Sequence, residues 1–526
     1  MQVFWKKHKR MMREKIKLGI LIDSFIVPAW IYTTLEKILA CNFSTVVFVN
    51  IQGNAKAAKQ KSLVNLYLNL ERKLVKQKLS AITAFSCESL IQNLPHRDLN
   101  SLIKNVHEID ILINLGSTAI HTYNIDLPVW TFDRIPQFNA NKIVQHLKKE
   151  NGTYEILLKE FSKKNPSGKI LYRSASADSI FLNRIINWAL WKATLFIPRK
   201  LKEIFETEQT DSSIETKESE DRKNIHTLQD QSPLIFLLKH CFRVFNTTVK
   251  SVFTFEQWIL LFDFFDKKKP PFHPAIFKEL IPPKDRFWAD PSVFTTGDQH
   301  YYIFVEEEIY KEKKAHISVL EIYKAGNISE PRIALDKPYH LSYPYVFKDG
   351  NDIYMLPETS ENKTIELYRA NDFPYKWELK MNLMENIHAV DATIHKYNNK
   401  YWMFVNIREI NGASDWDELF LFYADELLTQ NWKPHKQNPI VSDVRTARPA
   451  GKIFEQEGKL YRPSQNSSRS YGYAININEI TELSETTYAE KLVSTIAPWN
   501  KKIIATHTYS LSENLCVIDA RKRRNR

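Results

Sequence analysis

The sequence predicts a multidomain protein of two classes: an α/β, Rossmann-like domain over residues 1–200 and an all-β five-bladed propeller over 256–526, joined by a linker and short helix over 201–255. Three observations predict it. Continuous apolar runs alternate with a helix-spaced apolar stretch in the first part. Residues 206–232 are polar and acidic and lack aromatics, the composition of a flexible linker. Beyond 256, hairpin-like segments recur at intervals of about fifty residues.

In the first part, "IKLGILI" (16–22) and "STVVFVNI" (44–51) read as buried strands. Between them "AWIYTTLEKILA" (29–40) carries apolar residues at helical spacing. "DILINLG" (110–116) and "LPVWTF" continue the series, so the expected sheet is parallel. No GxGxxG follows the first strand, which leaves dinucleotide binding without support. After the linker, 233–250 reads as a short helix, and "KKKPP" (267–271) breaks the chain again.

The recurring unit is strand, tight turn, strand. It appears as "FWADPSVFTTGDQHYYIFVEE", "HLSYPYVFKDGNDIYMLPE", "HAVDATIHKYNNKYWMFVN", "RTARPAGKIFEQEGKLYRPSQ" and "IIATHTYSLSENLCVID". Pro291, Pro344, Ala392, Pro449 and Thr508 occupy equivalent places. Five such units predict five propeller blades. The last unit runs out after two strands, and "EQWILLF" (256–262) is the segment expected to complete it.

In each blade the innermost strand starts at one mouth of the central channel, and the next strand returns to it. Register then pairs Asp290 with Glu306, Tyr343 with Glu358, Asp391 with Asn406, Arg448 with Arg462 and His507 with Asp519. Every pair contains a polar residue, while the strands between are apolar. The expected pocket is therefore lined by Asp290, Glu306, Tyr343, Glu358, Asp391, Arg448, Arg462 and His507, joined by Trp288 and Gln465. Glu307 and Glu308 are expected to be solvated neighbours. As rim residues, Asp290, Glu358, Asp391 and Arg448 are expected to be replaceable at little cost in stability. Two guanidiniums at one mouth suit a carboxylate or phosphate, which favours an acidic sugar, a nucleotide sugar or a phosphorylated glycan.

The chain has 526 residues, 43% of them hydrophobic, which is ample for several cores. The net charge of +12 is a property of the ends. The first seventeen residues hold seven Lys/Arg against one Glu, and the final "RKRRNR" holds five more. Without a nucleic-acid motif this distribution gives a genome role no support; the ends read as two solvated basic termini or, alternatively, as segments that touch an anionic membrane surface or a polyanionic glycan. Four scattered cysteines indicate no disulfide framework and no zinc site, and no metal or cofactor is expected. No apolar core follows the basic start and no run approaches a membrane span. The expected location is cytoplasmic, peripheral to the inner face of the membrane.

The motifs "FWADPSVF", "HLSYPYVF", "YMLPET", "LYRANDFPYKW", "PHKQNPI", "ARPAG", "YRPSQN" and "YG", in that order over 256–526, resemble the N-terminal region of plant glucosamine inositolphosphorylceramide transferases and their bacterial relatives. More distantly, the propeller is similar to five-bladed glycosidases of the arabinanase and xylosidase type. That similarity implies Asp290 as general base, Glu358 as general acid and Asp391 as the second aspartate, although the blade order differs from the glycosidase pattern. Residues 16–200 resemble the formyltransferase-like domain that precedes such propellers in some bacterial proteins. That family uses Asn, His and Asp; "VWTFDRIP" (129–136) has no His and "NPSGKILYR" (165–173) no Asp, which implies a degenerate domain. The expectation is a protein of glycan or glycolipid biosynthesis, of glycosyltransferase type. A non-catalytic sugar-binding partner of a separate transferase, or an inverting glycoside hydrolase, are the alternatives.

Overall fold

The computed structural model describes residues 14–53, 63–75, 79–98, 106–118, 126–133, 135, 153–176, 179–206, 233–265, 274–297, 299–323 and 327–526. The linker expected over 206–232 lies, beyond Glu206, outside them, as do "KKKPP" and nearly all of the basic N-terminus. The described residues form two compact units.

The first unit is built on a six-stranded sheet in the order Ser44–Ile51, Ile16–Ile22, Ile111–Asn114, Val129–Asp133, Tyr154–Phe161, Lys169–Ser176. The first four strands are parallel. Val129–Asp133 and Tyr154–Phe161 run antiparallel, so the sheet is mixed where a parallel one was expected. The apolar runs bury Leu21, Phe48, Leu112 and Val129 in one cluster. Helix Ala29–Leu39 turns Trp30, Ile31, Leu35 and Ile38 inward, as its spacing requires.

The second unit is the propeller. Blade one holds Arg286–Gly297, His300–Ile309, Ala315–Tyr323 and Arg332–Leu335. Blade two holds Ser342–Asp349, Asp352–Glu358, Thr364–Asp372 and Lys376–Glu385. Blade three holds Ala389–Tyr397, Lys400–Ile407, Leu419–Ala424 and Lys433–Pro434, and blade four Phe454–Gln456, Lys459–Asn466, Ala474–Leu483 and Tyr488–Ile496. Blade five is made from both ends of the unit. Ile503–Ala505 and Tyr509–Ser512 pair with Leu515–Asn525, which pairs with Thr254–Phe264, which pairs with Lys278–Leu280. The Thr254–Phe264 and Leu515–Asn525 contact runs through eleven residue pairs and closes the ring.

Cores lie between successive blades. Trp288, Val293, Tyr301 and Ile303 of blade one pack on Leu260, Phe262 and Val517 of blade five. Trp402 and Phe404 of blade three pack with Ile453 and Tyr488 of blade four. Bulky aromatic and β-branched residues fill these wedge-shaped gaps, which is why the repeat strands are rich in both.

Candidate functional site

Blades one to three start their inner strands with the same irregularity. The register slips between Ala289 and Ser292, between Ser342 and Tyr345, and between Val390 and Thr393. The bulged residues Asp290, Tyr343 and Asp391 have φ of 50°, 44° and 54°. A bulge re-aims a side chain, and left-handed backbone at a non-glycine residue costs energy that the surrounding fold must hold in place. Aspartate tolerates this conformation; tyrosine rarely adopts it. The bulge adds one residue to each inner strand, so Glu306 lies opposite Ala289, Glu358 opposite Ser342 and Asn406 opposite Val390, one position from the expected partners.

Asp519 anchors the junction of blades five and one. It accepts the backbone N–H groups of His507 and Thr508, both at 2.9 Å, and of Asp290 at 3.0 Å. Its other contact is His507 Nδ1 at 2.5 Å. His507 Nε2 then faces Asp290 Oδ1 at 3.6 Å, and the Thr508 hydroxyl donates to the same oxygen at 2.7 Å. The imidazole is stacked on Trp258 at 4.0 Å between ring centroids and meets Tyr471 edge-on at 5.5 Å. Burial alone would depress the His507 pKa; the Asp519 and Asp290 carboxylates outweigh it and push it up to about 9. For Asp290, burial prevails over the attraction of His507 and raises the carboxyl to about 7.

A second cluster spans blades two to four. Arg448 holds Asp391 with Nε and with Nη2, the latter at 3.1 Å from Oδ1. Gln465 Nε2 donates to Asp391 Oδ2 at 3.1 Å. Glu358 Oε2 is 3.5 Å from Arg448 Nη2, and Glu358 Oε1 accepts from Ser360 at 2.7 Å. Burial first, then the charge of Asp391, raises the Glu358 pKa well above the carboxylate range despite Arg448. Glu358 is thus held as an acid beside a guanidinium-bound carboxylate. Glu358 Oε2 and Gln465 Oε1 are buried and make no hydrogen bond in the protein. The Arg448 guanidinium lies 5.1 Å from the centre of the Tyr471 ring.

The mouth therefore brings together Asp290, Glu358, Asp391, Arg448, Gln465 and His507. Glu306 belongs to its rim, where its Oε1 meets His340 Nε2 at 3.2 Å. Tyr343 is buried at the junction below: its hydroxyl contacts Thr393 Oγ1 at 2.8 Å and accepts the Gly451 N–H at 2.8 Å, tying blades two, three and four together. A cavity of about 10 Å³, room for about one water, lies along the inner strands beneath, lined in part by Ser292, Tyr345 and Ser510. A cavity of that size has no room for a ligand larger than a water.

Two residues expected in the pocket lie elsewhere. Trp288 is in the core against blade five, its indole N–H donating to Glu307 Oε1 at 3.1 Å. Arg462 is buried in blade four, bonded to Glu490 at 2.7 and 2.8 Å and to the Thr446 carbonyl. The backbone N–H of Gln465 bonds the Arg448 carbonyl, so Gln465, not Arg462, is the register partner. Glu307 is buried, not solvated. Burial opposes its charge, but hydrogen bonds from His316, Ser318, Trp288 and Arg286 pull its pKa down to about 2. Tyr471, Thr508 and Trp258 were not assigned to the pocket from the sequence. The one available signal was "SYGY": Gly472 has φ +59°, and a Cβ there would lie 2.7 Å from that of His507, so the chain passes against the imidazole.

Residues 278–509 match the family model described as glucosamine inositolphosphorylceramide transferase 1, N-terminal. Among curated proteins, the transferases of that name from Oryza sativa subsp. japonica and Arabidopsis thaliana are each 36% identical over 207 residues, covering 39% of this chain and 27% of theirs. The chain thus spans about a quarter of the length of the relatives it matches. Among solved structures, a Bombyx mori family 32 β-fructofuranosidase is similar with TM-score 0.34 and 14% identity, over 55% of this chain and 66% of its own. The Cellvibrio cellulosa α-L-arabinanase complexed with arabinohexaose follows with TM-score 0.32 and 13% identity, over 45% and 90%. The propeller is therefore similar to the N-terminal region of the glucosamine inositolphosphorylceramide transferases. The formyltransferase resemblance of the first unit gains no support.

Proposed function

We propose, from the premise of that family match over the propeller, that the mouth binds a sugar of a glycan or glycolipid under construction and serves glycosyl transfer to or from it. The observation that carries the reading is a pair of buried carboxyl groups at one mouth, Asp290 facing His507 and Glu358 beside Asp391 and Arg448, raised to different extents. Asp290 is raised only to about 7, so it is available as a base near neutrality, whereas Glu358 is held protonated. Catalysis of this type needs one carboxylate to take a proton from an acceptor hydroxyl and one acid to give a proton to a leaving oxygen. His507, charged between Asp519 and Asp290, orients the base. Asp391 is fixed by Arg448 and Gln465, and it presses Glu358 towards its neutral form.

Of the ligands first expected, the acidic ones lose the guanidinium pair that favoured them. With Arg462 in blade four and Arg448 bonded to Asp391, these two guanidiniums do not form the free pair expected to clamp an anion. Asp290, Glu306, Glu358 and Asp391 make the mouth rich in acceptors, which fits a hydroxyl-rich, uncharged sugar better than an acidic one. The test is product analysis by mass spectrometry. Sugar-nucleotide donors are offered with glycan and glycolipid acceptors to the wild type, Asp290→Asn and Glu358→Gln. Transfer by the wild type that both variants lose supports the reading. Sugar binding without turnover by any of the three assigns the mouth to recognition, in support of a separate transferase.

A further inference from the structure

We propose that helix Pro233–Phe253 is a membrane-surface contact that lays its apolar face into an anionic lipid bilayer. Leu238, Phe242, Phe245, Val252 and Phe253 are 62%, 67%, 65%, 62% and 71% exposed, and Val249 between them is exposed as well. The positions from Leu238 to Val252 follow one another at steps of four and three, so they form one stripe along the helix. Leu237 and His240, off that stripe, are buried; from Cys241 onward the helix is exposed on every face save at half-buried Val244 and Asn246. A soluble helix turns its apolar stripe inward; this one displays it. Twenty-one residues make a helix roughly 30 Å long. Among the described residues, no helix is long and apolar enough to cross a membrane, so the helix would lie in the interface.

Charge selects the occupant. From Pro233 to Phe253 there is no Asp or Glu, whereas Lys239, Arg243 and Lys250 are present. Lys239 and Arg243 already have partners in the chain, Arg243 Nη2 lying 3.3 Å from the Ser179 carbonyl, so Lys250 is the helix cation offered to a headgroup, and a second copy of this acid-free helix would bring it no opposite charge. The basic C-terminus is held at the same end. The Arg526 N–H bonds the Phe253 carbonyl at 3.3 Å. Arg521 and Arg523 face Glu256, Lys522 faces Glu279, and Arg524 meets Gln257 and the Pro282 carbonyl, while Arg526 is exposed. Phenylalanines flanked by cations are the composition of helices that sit at headgroup depth.

The experiment is flotation of the full chain with vesicles of phosphatidylcholine alone or mixed with phosphatidylserine, at low and raised salt. The wild type is expected to float with the mixed vesicles, less so in salt. Phe242→Ser/Phe245→Ser is expected to weaken this by roughly tenfold or more, since two buried rings are lost. Lys250→Glu is expected to weaken it roughly tenfold by reversing one charge near the surface. Both sites are exposed, so melting temperatures should stay at the wild-type value. Flotation that ignores phosphatidylserine, or survives the double serine change, overturns the proposal. So does size-exclusion chromatography in which the wild type is a dimer and the double variant a monomer, which would assign the stripe to a second copy.

Discussion

Asp290 and His507 set the expected pH behaviour at the scale of single residues. A base at Asp290 must be ionised, so activity should rise as pH passes about 7. A charged His507 orients it, so activity should fall as pH passes about 9. The bell-shaped profile should lose its acidic limb in Asp290→Asn, along with roughly two to four orders of magnitude of rate. Stability follows a different sign. Both groups have native pKa values above their ordinary ones, so each contributes stability fully below its unfolded value and loses it as pH rises through the native value. Melting temperature should therefore decline from mildly acidic pH towards about 9, and His507→Gln should flatten the upper part of that decline. Asp391 and Arg448 correct a further expectation. They were read as replaceable rim residues, yet both are buried and bonded to each other. Arg448→Met should cost about 3–5 kcal/mol, because it strands a buried carboxylate. The double change Arg448→Met/Asp391→Asn should cost less than the sum of the singles, as read by denaturant titration.

Among the elements, the bulges explain how much could be read from the chain. The repeats were legible because Pro291, Pro344 and Ala392 follow the residue that must turn, and because alternating apolar strands surround them. The bulge itself leaves no compositional mark, so partners counted along ideal strands came out one position off. In blade four the inner strand shrinks to Phe454–Gln456, with an isolated bridge between Pro449 and Ser464. Counting failed there by three positions and put Arg462 in place of Gln465. Glu307 misled for another reason: a row of three glutamates reads as solvated, and only the strands on both sides, with Arg286, Trp288, His316 and Ser318, give Glu307 its internal partners. Gly451 shows how tightly the blades meet. Its φ is +126°, and a Cβ would stand 2.0 Å from the Tyr509 carbonyl oxygen of blade five. Gly451→Ala must displace backbone, and we expect a loss of at least about 3 kcal/mol. Gly350→Ala, at a turn where nothing lies within 4 Å, is the matched control and should cost only its φ strain, about 1 kcal/mol. Thermal melts of the pair check the difference.

For the whole propeller, blade five carries the consequence. Thr254–Phe264 is paired on one side by the short Lys278–Leu280 and on the other by Leu515–Asn525. Deleting 254–264 should leave a chain that expresses but shows no cooperative melt, since an open ring exposes the cores on both sides of the gap. The same dependence has a temporal side. At a synthesis rate of roughly 5–20 residues per second, the early strand leaves the ribosome on the order of tens of seconds before its partner exists. Until then it is a bare, apolar β edge on a growing chain, which is the kind of segment that pairs with the wrong neighbour. The ring is thus a contract between the propeller's first and last strands that the nascent chain cannot honour until Leu515–Asn525 has been made. Supplied in trans to pulse-labelled translation, a peptide spanning 515–525 should shield 254–264 from protease early, and a scrambled peptide should not.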